Sequence, residues 1–349
     1  MNRVEQLRKK LAKGQGVYIS SYANIFYYSG FTSEDAVLII TPQRQLLVTD
    51  SRYLVQAKEQ APEFEIRDIA KGLSAILSDI EGLQELYFEE DYLTVSREKR
   101  LQDAGKNLQL TQGQKLISAL REKKDEKEIE KIRAAEALGD AAFSHILNFI
   151  RVGQTEREVA LELEFFMRKQ GAQALSFETI VASGVRSCMP HGVATNKVIE
   201  AGDFVTLDFG CILDGYCSDM TRTFVMGHAS EKQRQIYDVV LAAQKAALDK
   251  IAIGVACRDI DRAARDVIAS AGFGKNFGHG LGHSVGIEIH ESPSFSPKSD
   301  AIVEEGHVIT VEPGIYLEGF GGVRIEDVVA ISAKNVANLT KSQKDFIIL

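Results

Sequence analysis

Five residues in the C-terminal half carry charge where charge is costly: Asp208, Asp219, His283, Glu312 and Glu326. They lie in the apolar segments Phe204–Gly210, Gly215–Phe224, Gly280–Gly286, Val308–Gly314 and Gly321–Val329. An ionised carboxylate inside a protein costs several kcal/mol unless it is paired or bound to metal. Two divalent cations would cancel four carboxylate charges, which points to a two-metal hydrolase. Four carboxylates and one imidazole form a hard, oxygen-rich set suited to Mn²⁺, Co²⁺, Fe²⁺ or Zn²⁺. Such ions sit about 3.5–4 Å apart, lower the pKa of a shared water and polarise a substrate carbonyl. A histidine nearby would stabilise the tetrahedral oxyanion.

Those residues must be positioned by strands. Alternation puts Phe204, Thr206 and Asp208 on one strand face. The Asp214-Gly215 turn reverses the chain, and Asp219 follows Asp208 by eleven residues. A hairpin would bring both carboxylates to neighbouring positions, where unpaired like charges destabilise a sheet. Glu312 ends an expected strand, Val308–Val311, stopped by Pro313 and Gly314. Glu326 comes fourteen residues later, within an expected strand Val323–Ile331 that also puts Arg324 and Val328 on its face. Alone, Arg324 and Glu326 read as a surface ion pair; the apolar flanks argue against that. Gly278–Glu291 holds His279, His283 and His290 among four glycines. It is neither a dinucleotide fingerprint nor HExxH, because His290-Glu291 runs into Pro293.

The chain of 349 residues favours two domains, 1–120 and 121–349. The first alternates short strands and helices, an α/β pattern with a mixed sheet. Asp50, Ser51 and Arg52 read as the cap and first turn of a helix over Ser51–Glu59. In the second, a long surface helix is expected after Lys124, and Thr155 caps another with Glu158 completing a capping box. Further helices over Gln233–Ile251 and Arg258–Ser270 cover one side of a largely antiparallel sheet. A net charge of -8 argues against nucleic acid as a partner. No run is long enough to span a membrane, and the N-terminus is a charged helix former rather than a secretory signal. The four cysteines show no CxxC pair and read as buried small residues in a reducing cytoplasm.

The order of these motifs resembles the pita-bread metallopeptidases: Asp, Asp eleven on, histidines ending in His-Glu, Glu-Pro-Gly, then a last Glu. The N-terminal α/β region resembles a creatinase-type domain, and Ser187–Gly192 fits the same branch, which cuts Xaa-Pro bonds. The resemblance implies an α/β N-domain followed by an α+β pita-bread domain, a curved, largely antiparallel sheet covered by helices. It implies two divalent ions per subunit, manganese first. Asp208 would be terminal on one ion, His283 and Glu312 terminal on the other, and Asp219 and Glu326 bridging. His290 would contact the scissile carbonyl. His191 and His279 would act at the substrate pocket, with Arg324 and Tyr316 orienting a bridging carboxylate or substrate. Proline-containing peptides are the implied substrates, and a homodimer the implied assembly. The wording of the motifs leans to an Xaa-Pro aminopeptidase; a prolidase restricted to dipeptides shares the site. A metal-free creatinase would not need all five ligands, and an inactive binding relative would have lost some.

Overall fold

The computed structural model describes residues 2–349, and the chain divides into two compact units, Met1–Arg121 and Glu122–Leu349. In the first, six strands form one mixed sheet: β1 (Gln15–Ile19), β2 (Ala36–Ile40), β3 (Gln45–Thr49), β4 (Glu65–Asp68), β5 (Glu85–Phe88) and β6 (Gln109–Gln112). Their order is β4-β3-β2-β1-β5-β6, antiparallel at β1–β2 and β2–β3 and parallel elsewhere. The central strands are apolar runs such as AVLII, buried on both faces. The edge strands EIRD and QLTQ are short and polar, so periodicity does not announce them. A helix over Tyr22–Ser29 is likewise silent in the sequence, being rich in aromatics. Its ends are set by a Ser21 side-chain cap and by Gly30 at φ 75°. Asp50 does not cap a helix. It accepts from the Arg52 N–H and guanidinium in an exposed turn, and the helix starts only at Leu54.

The second unit contains β7 (Ala174–Leu175), β8 (Ile180–Ser183), β9 (Phe204–Phe209), β10 (Cys211–Leu213), β11 (Tyr216–Cys217) and β12 (Met220–Val225). There follow β13 (Gly282–Ser284), β14 (Glu291–Phe295), β15 (Val308–Val311), β16 (Gly314–Leu317), β17 (Gly321–Arg324), β18 (Asp327–Ile331) and β19 (Val336–Asn338). Every pairing among them is antiparallel. Val205, Leu207 and Phe209 of β9 pack on the helices Glu126–Phe149 and Glu156–Lys169. The helices Glu231–Lys250 and Cys257–Ser270 pack on β15, β16, β17 and β18 through Ile309, Val311, Ile315, Val323 and Val329. Period-two alternation therefore sends the other set, including Thr206 and Asp208, to the opposite face.

One sequence expectation about the strands is overturned. The run Val323–Ile331 is two strands, β17 and β18, broken at Ile325 and Glu326. At the break the Glu326 N–H turns to the Thr221 carbonyl at 3.1 Å, so its side chain is aimed by a different partner. The helix Glu126–Phe149 is amphipathic, as its sequence leads one to expect. Its capping box, Asp125 with Glu128, is present, but Glu128 and Glu136 are buried together with its apolar face. Among the described residues no helix is long and apolar enough to cross a membrane. All four cysteines are free, three of them buried.

Candidate metal centre and active site

The β9–β12 hairpin sets the first two carboxylates. Asp208 pairs with Thr221, so Asp219, one residue before β12, is its diagonal neighbour on the same face. The intervening tip, β10–β11, closes on Asp214 and Gly215, both at positive φ (48° and 78°), the twist a two-residue hairpin turn requires. His283 lies in the middle of β13. Gly282 lets β13 approach β15, since a Cβ there would fall 2.0 Å from the Thr310 carbonyl oxygen. Glu312 follows β15 directly.

His283 shows what the cluster lacks. Its Nδ1–H donates to the Ser284 carbonyl (3.2 Å), leaving Nε2 with a lone pair. Burial, then the neighbouring His290, lower its pKa to about 4, so the ring is neutral near pH 7. That Nε2 faces Asp219 Oδ2 and Glu312 Oε1, each at 3.5 Å. Ligand atoms of Asp219, His283 and Glu326 all lie within 4.8 Å of one another. Ligand-type atoms of these residues converge with no cationic side chain among them, the arrangement a cation completes. Asp208 adds to this: its Oδ1 is buried without a partner, while Oδ2 accepts from Arg324 Nη2 at 2.5 Å. The residues present thus fit divalent metal.

Each candidate ligand is held from behind. Thr221 donates to Glu326 Oε2 (2.7 Å) and accepts from Arg324 Nε (3.1 Å). Thr310 donates to Glu312 Oε1 (3.2 Å) and accepts the His283 N–H (3.0 Å). Buried Glu136 accepts the Asp219 N–H and the Thr340 hydroxyl, both at 2.8 Å; burial pushes its carboxyl up to about 8. Arg324 contacts Asp208, not Glu326, which it reaches only through Thr221. Its other arm donates to the Tyr316 hydroxyl at 2.8 Å. The His279 Nδ1–H donates to the Gly280 carbonyl (2.8 Å), so Nε2 accepts the Tyr316 O–H (3.0 Å). Burial lowers the His279 pKa to about 4, consistent with that neutral form.

All the residues selected from sequence, His191, Asp208, Asp219, His279, His283, His290, Glu312, Tyr316, Arg324 and Glu326, line one cavity of about 940 Å³. His191 and His290 are exposed at its wall, and His290 packs edge-on against His283 with ring centroids 4.4 Å apart. The segment carrying His191 is anchored by buried Glu156, which takes donors from Ser183, Arg186 and Thr195. The turn before His290 is closed by Glu291, accepting the Ile287 and Glu288 N–H groups and pairing with buried Lys124 at 3.0 Å. Thr221, Thr310, Glu136 and the lining residues Glu178 and Lys275 were not singled out from sequence. Thr221 and Thr310 had a signal, each two residues from a candidate ligand, Asp219 or Glu312, on the same strand face.

The carboxylates titrate abnormally without metal. Burial, then mutual repulsion, raises Asp219 and Glu326 well above the usual range; burial raises Asp208, and Glu312 to about 8. A carboxyl raised in the fold binds more protons there than in the unfolded chain, so stability falls as pH climbs from about 4.5 toward 8. The lowered histidines act oppositely, but only below about 6.5. Metal-free protein should therefore lose about 5 °C or more of Tm between pH 6.5 and 8.5, and metal-loaded protein much less. Parallel thermal melts check this; equal losses in both forms would refute it.

The chain matches the model of metallopeptidase family M24 over residues 130–333 and that of the Creatinase/Prolidase N-terminal domain over residues 3–123. It is 43% identical to the Xaa-Pro dipeptidase from Bacillus anthracis, with TM-score 0.94 over 99% of this chain and 98% of that one. The X-Pro aminopeptidase from Thermotoga maritima is 36% identical, with TM-score 0.93 over 99% and 100%. The Xaa-Pro dipeptidase of Pyrococcus horikoshii is 37% identical over 95% of this chain and 94% of its own. The chain belongs to metallopeptidase family M24: it is a hydrolase with a creatinase-type N-terminal domain and a pita-bread catalytic domain.

Proposed function

We propose that this protein is an Xaa-Pro dipeptidase that removes one residue from proline in a dipeptide. Near-complete alignment with the Xaa-Pro dipeptidases of Bacillus anthracis and Pyrococcus horikoshii supports this reading over the aminopeptidase favoured by motif wording. In this reading Asp208 would hold one ion, His283 and Glu312 would hold the other, and Asp219 and Glu326 would serve both. Manganese is the first candidate on donor chemistry, with Co²⁺, Zn²⁺ or Fe²⁺ behind it. Two such ions supply Lewis acidity and an acidified water.

The chain's own groups do the rest. Arg324 holds Asp208 Oδ2 and leaves Oδ1 for metal. Thr221 and Thr310 fix the rotamers of Glu326 and Glu312. His290, exposed beside His283, donates to the scissile carbonyl as it becomes an oxyanion. His191 and the Tyr316-tethered His279 form the pocket wall. The protein is read as a cytoplasmic homodimer, on its buried free thiols and its family resemblance.

The deciding experiment is hydrolysis of Ala-Pro against Ala-Pro-Pro with added Mn²⁺. The expected result is cleavage of the dipeptide with little of the tripeptide. Preferential cleavage of the tripeptide would restore the aminopeptidase.

A further inference from the structure

A dipeptide that ends in proline brings a free carboxylate into a cavity whose lining also holds exposed Glu178, a carboxylate outside the four that two divalent ions would cancel. Like charges within a Debye length repel, more strongly where walls exclude water. A dipeptidase therefore needs a cation near that carboxylate, and a peptidase of longer chains does not. The lining holds two side chains with permanent positive charge, Arg324 and Lys275. Arg324 is 3% exposed, and each nitrogen of its guanidinium already has a partner, Thr221, Tyr316 or Asp208. Lys275 is exposed and makes no ion pair or side-chain hydrogen bond among the described residues.

Lys275 is also mounted firmly. It sits in the single turn Gly274–Asn276 that follows the helix Cys257–Ser270. Asn276 ties that turn to the pocket strand β16 by donating to the Tyr316 carbonyl at 3.0 Å. Arg265 secures the next residues from the helix side, donating to the carbonyls of Phe277 and His279 at 2.9 and 2.8 Å. The ammonium thus extends on a flexible stem from a backbone fixed at both sides of the cavity wall. His191 and His290 also reach the cavity, but an imidazole carries a full charge only when protonated.

We infer that Lys275 is the specificity-determining residue of this pocket, pairing with the free carboxylate of an Xaa-Pro dipeptide. The inference rests on the dipeptidase reading above. A charge-assisted contact at a partly solvated wall corresponds to roughly tenfold in kcat/KM. Lysine suits the task as a point charge that follows its partner.

The test uses the Mn²⁺-loaded full chain, with Lys275→Met and Lys275→Glu compared on Ala-Pro and on Ala-Pro-amide, which lacks the carboxylate. Expected is a fall of about tenfold in kcat/KM for Ala-Pro with Lys275→Met, carried by KM, and a larger fall with Lys275→Glu. Ala-Pro-amide should change less than about twofold in Lys275→Met, since no substrate charge is left to pair. Equal losses on both substrates would make Lys275 a structural residue, and no loss on either would make it a bystander; each overturns the inference. Wild-type protein that favours Ala-Pro, with a Met variant that keeps that preference, sinks the assignment and leaves the dipeptidase reading standing. Wild-type protein that ignores Ala-Pro sinks both.

Discussion

Glu326→Gln is expected to reduce turnover on Ala-Pro to background and to lower bound metal, while the metal-free protein melts no lower than wild type. The carboxylate is 2% exposed, and burial and the charges of Glu312 and Asp208 all disfavour its ionised form. Without metal it is a liability, so an isosteric neutral amide relieves repulsion and keeps the acceptor for Thr221. With metal it is proposed to bridge, and an amide cannot supply the charge that holds two divalent ions together. Opposite effects on stability and activity separate a ligand from a structural residue, whose loss would lower both. Elemental analysis after Mn²⁺ loading, a melt and a rate together decide. Full metal content with wild-type turnover would remove Glu326 from the bridge.

His290→Ala should give the reverse pattern: metal retained, stability unchanged, and kcat down by about 10²–10³. The ring is exposed and packs on His283 without contacting any of the four carboxylates through a hydrogen bond. Its loss leaves the charge cluster as it was. The turn behind it, tied by Glu291 and Lys124, does not depend on the imidazole. A variant that loses metal instead would make His290 a ligand rather than a contact to the carbonyl.

The cavity residues were legible because charge in apolar strands is anomalous whatever the fold. The face of Asp208 followed from alternation alone, and the Asp214-Gly215 turn from residue type. What was hidden depended on partners distant in sequence. Glu136 sits in a helix whose charged start reads as solvent-facing; only Thr340 and the Asp219 N–H explain its burial. The break at Ile325–Glu326 is invisible in an unbroken apolar run, because the Thr221 carbonyl that captures the Glu326 N–H is about a hundred residues away. Arg324 was placed beside Glu326 by spacing, yet its guanidinium is long enough to reach the opposite strand. Edge strands β4 and β6 carried too few apolar residues to register.

The contacts running from Asp208 through Arg324 and Tyr316 to His279 limit how this enzyme can diversify. A substitution at His279 that reshapes the pocket also releases Tyr316, then Arg324, then an acid proposed to hold metal. On the proposed roles, substrate preference and metal affinity are inherited together at those positions. Lys275 and Glu178 line the same cavity outside that chain. New specificities should arise there first, where a change of side chain alters the guest without loosening the ions.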